Sequence, residues 1–123
     1  MGTSIGQAAE DFACHYLQDQ GLLLIERNYR CKRGEIDLVM RDASSVVFVE
    51  VRYRRNIRFG SGAESVNRHK QAKLIATALH YLQSNKAAAK SPARFDVISI
   101  TLQGVPGHAA EIQWIKNAFD ASP

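Results

Sequence analysis

Two acidic residues stand where acids are scarce. Asp37 lies in Gly34-Glu35-Ile36-Asp37-Leu38-Val39-Met40, and Glu50 in Val46-Val47-Phe48-Val49-Glu50-Val51-Arg52. Both runs read as strands, and acids are depleted in strands. A carboxylate among branched apolar residues is costly unless it is paired or holds a cation. Asp42-Ala43-Ser44-Ser45 between the runs is turn chemistry. With Ala43 and Ser44 at the turn centre, Asp37 falls opposite Glu50 and Glu35 opposite Arg52. Strict alternation then sets all four on one face. Opposed carboxylates repel; a divalent cation or a bound proton relieves them. Mg²⁺ takes oxygen ligands, often one or two carboxylates completed by water and substrate phosphate. The competing reading is a set of surface charges with a Glu35–Arg52 cross-strand ion pair. A register slip of one residue would separate the acids.

A basic stretch follows. Arg52, Arg54, Arg55, Arg58, Arg68, Lys70 and Lys73 are opposed by one acid, Glu64. Such a field beside an acidic hairpin suits phosphate, so Arg54, Arg55, Arg58 and Lys70 are candidate nucleic-acid contacts; the alternative is a solvated loop. Net charge is +4 and the pI near 9.3, which alone says little about partners. Tyr53 or Phe59 is placed to stack on a base or to pack at a strand end. His15, His69, His80 and His108 have no metal-ligand spacing.

Gly6 to Gln20 is expected to be a helix, with apolar Ala9, Phe12, Ala13, Tyr16 and Leu17 at helical spacing, Ser4 as N-cap and Gly21 as its stop. Leu22 to Asn28 reads as a strand, Tyr29 to Gly34 as a basic loop, and Glu35–Arg41 and Val46–Tyr53 as central strands. Arg54 to Glu64 is a loop. Ser65 to Ser84 is a second helix, with Ser65 as N-cap and Leu74, Ile75, Ala78, Tyr81 and Leu82 as its apolar face. Asn85–Pro92 is a connection, Arg94–Leu102 a strand and Gln103–Ala109 a loop. Glu111–Ile115 is a short edge strand, and Asn117 begins a tail. Arg94 and Asp96 read as a structural ion pair. The sum is one α/β domain over 1–123, core about 5–116, with a mixed sheet flanked by helices. Apolar content of 46% and 23% charged residues are ordinary for a globular chain. With no long apolar run, no secretory leader and two scattered cysteines, the expectation is a cytoplasmic protein without a membrane partner.

Asp37, twelve intervening residues, then Glu50-Val51-Arg52 resembles the Asp-x(n)-Glu-x-Lys signature of the restriction-endonuclease-like PD-(D/E)XK nucleases. The wider pattern resembles the YraN-like family of small bacterial proteins. It comprises Gly6-Gln7-Ala8-Ala9-Glu10, Arg27-Asn28-Tyr29-Arg30, Gly34-Glu35-Ile36-Asp37-Leu38, Val47 through Arg54, Lys70-Gln71 and Arg94-Phe95-Asp96-Val97. The likeness implies a restriction-endonuclease-like fold with an α-β-β-β-α-β core, similar to Holliday-junction resolvases. It implies Mg²⁺ or Mn²⁺ on Asp37 and Glu50, with Glu10 as the helix-borne acid completing the site. Gln71, with Lys70 beside it, would be the helix residue facing the site. The metal would activate water and neutralise charge on the phosphate. The implied activity is nucleic-acid cleavage, DNA ahead of RNA, including branched repair intermediates; resolvase-like folds also suggest a homodimer. Arg52 departs from the signature lysine. Arginine keeps its proton and clamps phosphate, but it cannot act as base. A binding module without catalysis, or a protein-interaction factor, are therefore the alternatives.

Overall fold

The computed structural model describes residues 4–54, 66–101 and 111–120, with the side chain of Arg54 excepted. The elements run α1 (Ile5–Asp19), β1 (Leu23–Cys31), β2 (Gly34–Asp42), β3 (Ser45–Arg54), α2 (Arg68–Ser84), α3 (Lys86–Ala89), β4 (Ala93–Thr101) and β5 (Glu111–Phe119). The five strands form one sheet in the order β1-β2-β3-β4-β5. β3 and β4 are parallel and the other neighbours antiparallel. A parallel pair needs a crossover connection, and α2 supplies it. The fold is α/β, with a mixed sheet flanked by helices, as expected of a restriction-endonuclease-like protein.

The central strands are apolar at both parities because each face is covered. On one side Ala9, Ala13, Cys14 and Leu17 of α1 pack with Leu38, Met40, Val47, Val49, Ile98 and Ile100. On the other, Leu74, Ala78 and Tyr81 of α2 pack with Ile36, Val39, Val46, Phe48, Phe95 and Val97. Phe12 of the α1 stripe stays 46% exposed.

α1 starts where the Ser4 hydroxyl accepts the Gln7 N–H at 3.1 Å and ends before Gly21, whose φ of +102° suits glycine. α2 starts later than expected. Its N-cap is Asn67, which accepts the Lys70 N–H at 2.9 Å; Ser65 lies outside the described residues, as do 55–64 and 102–110.

Three local expectations are corrected. The basic loop at Tyr29 is strand through Cys31, because Tyr29 packs edge-on to Tyr81 at 5.2 Å between ring centroids. Pairing therefore continues to Cys31↔Gly34. The connection after Asn85 contains the short α3, whose Ala88 is buried. The expected tail belongs to β5: Phe119 stacks on Phe95 at 4.8 Å, and the Asn117 N–H donates to Asp96 Oδ1 at 2.9 Å.

Asp96 anchors this edge. It is 1% exposed and accepts from Arg94 Nε at 3.0 Å and Trp114 Nε1 at 2.9 Å. Arg94 also reaches Asp42 at 2.9 Å, so one ion-pair network holds the β2–β3 turn to β4 and β5.

Candidate metal centre

The β2–β3 ladder runs from Asp42↔Ser45 to Leu38↔Val49. This is the register expected from the turn, with Ala43 adopting φ +54° within it. One step further along, Asp37 leaves the ladder: its Oδ2 accepts the Val51 N–H at 2.8 Å. The side chain thus sits on the β3 backbone beside Glu50.

Alternation fails at the same place. Leu38 and Met40 pack with α1, whereas Ile36, two residues earlier, packs with α2. Strict alternation would have kept all three on one face. On β1, Asn28 lies between the paired positions Arg27↔Leu38 and Tyr29↔Ile36, across from Asp37. Its φ is +55°, a left-handed conformation that asparagine tolerates better than most residues. Both strands switch faces where the acid sits.

This corrects the single-face expectation. Val49 and Val51 pack on the α1 side, so Glu50 turns toward α2. There Lys70 Nζ lies 3.2 Å from Glu50 Oε2, and Arg52 Nη1 lies 3.4 Å from the same oxygen. Asp37 instead shares its side with Glu35 and with Glu10 of α1. One carboxylate oxygen from each of these three lies within 4.8 Å of the others. With its amide turned to donate, Asn28 Nδ2 reaches Glu35 Oε1 at 3.1 Å and Glu10 Oε1 at 3.0 Å. Arg27 sits 3.7 Å from Glu10 and 2.7 Å from Asp11, and Arg30 sits 3.0 Å from Glu35.

Asp37 links the two sides. Burial raises its pKa first, and the adjacent Glu50 charge raises it further; together they outweigh the Val51 N–H and push it up to about 8. Near neutrality it holds a proton in a hydrogen bond with Glu50. Crowded oxygen donors of this kind fit Mg²⁺ or Mn²⁺, which are hard cations. A bound ion would supply the charge that the proton now compensates.

The remaining candidates are placed as follows. Gln71 Nε2 donates to the Val66 carbonyl at 2.9 Å, tying down the approach to α2. Lys70 and Arg52 both meet Glu50. Arg55 and Arg58 lie outside the described residues, and of Arg54 only the backbone is described. Tyr53 packs against the α1-side core, and Phe59 lies outside the described residues. Sequence reasoning places Glu35 beside Asp37 only as a cross-strand partner of Arg52, where the structure pairs it with Arg30, and does not single out Asn28. The i, i+2 spacing of Glu35 and Asp37 is a usable signal for the first. Nothing in residue type flags the left-handed turn of Asn28.

A mixed five-stranded sheet with an acid-bearing central hairpin and helices on both faces defines the class: an α/β protein of restriction-endonuclease-like architecture. The chain belongs to the family described as "Uncharacterised protein family UPF0102", which it matches over residues 9–100. It is 56% identical over 116 residues to a UPF0102 protein of Pseudomonas savastanoi pv. phaseolicola, covering 94% of this chain and 93% of the relative. A Nitrosococcus oceani UPF0102 protein is 53% identical over 114 residues, covering 93% and 90%. One from Stutzerimonas stutzeri is 51% identical over 118 residues, covering 96% of each. No described helix is long and apolar enough to cross a membrane.

Proposed function

We propose that this protein is a Mg²⁺- or Mn²⁺-dependent nuclease acting on DNA phosphodiester bonds, including branched or repair intermediates. The observation that carries the reading is the position of Asp37. Its carboxylate stands between Glu50 on one side and the Glu10–Glu35 pair on the other, at the point where both strands switch faces. Four acids drawn together by two strands and a helix repel one another, and a fold tolerates that best where a cation is meant to bind.

Asp37 and Glu50 would hold the ion, with Glu10 completing the set. A divalent ion there supplies Lewis-acid stabilisation of charge on the phosphate and lowers the pKa of an attacking water. The chain's own residues do the rest. Asp37 would hold the ion in its deprotonated form. The Val51 N–H fixes one Asp37 oxygen and leaves the other to the site. Arg52 and Lys70 hold Glu50 in place and would contribute donors to a phosphate. Arg52 stabilises charge without taking a proton. Two protomers on a two-fold substrate would match the branched-DNA reading.

A second reading keeps the fold as a nucleic-acid-binding module. It is favoured by Glu50, whose Oε2 is already engaged by two cations. The two readings part in one assay. Purified protein is offered branched, flapped, single-stranded and duplex DNA with Mg²⁺ or Mn²⁺. The nuclease reading expects cleavage that is lost in Asp37→Ala and Glu50→Ala. Salt-sensitive binding without cleavage selects the module, and cleavage indifferent to both substitutions belongs to a contaminant.

A further inference from the structure

The β1–β2 turn brings charge close to the candidate centre without being part of it. Lys32 and Arg33 form the turn between Cys31 and Gly34 and are exposed. The Arg33 N–H donates to Cys31 Sγ at 3.4 Å, which closes the turn locally. Gly34 then lies flat against α2. A Cβ built there would stand 3.0 Å from Thr77 Oγ1 and 3.8 Å from the Lys73 Cβ, and Gly34 has φ +154°. The close approach therefore requires glycine, and it packs the residue that follows Lys32 and Arg33 against the exposed Lys73 of α2.

The charge pairing is uneven. Arg27, Arg30, Arg52, Lys70 and Arg94 each meet a carboxylate. Among the described residues, no carboxylate lies within ion-pair distance of Lys32, Arg33 or Lys73. Exposed cations without a carboxylate partner, on the β1–β2 turn and on the turn of α2 that Gly34 packs against, make an anion-facing tract. It is also near the acids. Lys73 follows Lys70 by three residues on α2, about one turn away on the same helix face, and Lys70 Nζ meets Glu50 at 3.2 Å.

We infer that Lys32, Arg33 and Lys73 form a phosphate-backbone contact that guides duplex nucleic acid onto the Asp37 centre from the β1–β2 side of the sheet. The inference rests on the nucleic-acid reading above. It adds cations other than the arginines that the sequence offers after Tyr53. The cations contact phosphates and not bases, so the contact is sequence-independent and salt-sensitive.

The test is binding of an end-labelled 20-base-pair DNA duplex in EDTA, titrated with salt. The triple variant Lys32→Gln/Arg33→Gln/Lys73→Gln is compared with Lys86→Gln/Lys90→Gln/Lys116→Gln, which removes the same net charge elsewhere. The tract predicts that the first variant loses about tenfold or more in affinity. Its log–log salt slope should shrink by about one unit for each phosphate that is no longer neutralised, while the second variant stays near wild type and Mn²⁺ uptake is unchanged in both. If the triple variant does not fold, Lys32→Glu alone should still weaken binding. Equal losses in the two triple variants would overturn the tract and leave the nucleic-acid reading standing. So would a triple variant that keeps duplex binding but loses binding to poly-glutamate, which would mark an acidic-protein surface instead. Wild-type protein that binds no duplex at low salt would overturn both.

Discussion

Asp37 and Val51 are joined side chain to backbone, Oδ2 to N–H at 2.8 Å, one step past the end of the β2–β3 ladder. That bond takes the place of a ladder hydrogen bond. It holds an acid in the gap between two central strands, against Glu50 and within reach of Glu10 and Glu35. This displacement, and the side chains that support it, have measurable consequences.

Metal uptake is expected to be proton-linked. Asp37 titrates near 8, raised by burial and by Glu50, so below that pH an incoming ion must displace a proton. Affinity for Mn²⁺ by calorimetry should rise about tenfold per pH unit toward 8 and level off above it. Asp37→Asn should bind weakly and lose the slope.

The metal-free fold carries the opposite dependence. Asp37 is raised in the folded state, so the folded chain retains a proton that the unfolded chain has lost. The stability gained from that proton is full below the ordinary carboxylate range and is lost as pH rises from about 4 to about 8. Urea midpoints of EDTA-treated protein should fall across this window, and the fall should be smaller in Asp37→Asn.

How much of this is legible in sequence differs by residue. The hairpin register is, because Asp42-Ala43-Ser44-Ser45 fixes the turn and apolar residues at both parities mark central strands. The opposite facing of Asp37 and Glu50 is not. It depends on a left-handed Asn28 and a broken alternation at Asp37, and period-two reasoning assumes both away. The last residues of β5 are hidden because Asn117 reads as a tail residue. Its backbone N–H is spent on Asp96, a partner 21 positions earlier that no local pattern reveals. The short α3 escapes notice because an alanine-rich stretch between polar residues reads equally well as a connection.

Asp96 is expected to be the most sensitive acid for stability. Its carboxylate accepts from Arg94, from the Trp114 indole and from the Asn117 backbone while fully buried. Asp96→Ala strands those donors and should cost about 3–5 kcal/mol, measured by urea denaturation. Asp96→Asn should cost less.

Gly34 is expected to tolerate no side chain. Gly34→Ala meets both an unfavourable φ and the Thr77 hydroxyl at 3.0 Å, and should lose about 1–3 kcal/mol. Adding Thr77→Ala should return part of that loss, since it removes the clash but not the φ strain. Thermal melts of the three variants check the ordering.

The central claim is that Asp37 holds a divalent ion. Anomalous diffraction from crystals soaked in Mn²⁺ at pH 8.5 or above tests it most directly. The prediction is a peak in coordination contact with the Asp37 carboxylate, with a second oxygen from Glu50 or Glu10. A Mn²⁺ soak at that pH that shows no peak at the Asp37 carboxylate would contradict it.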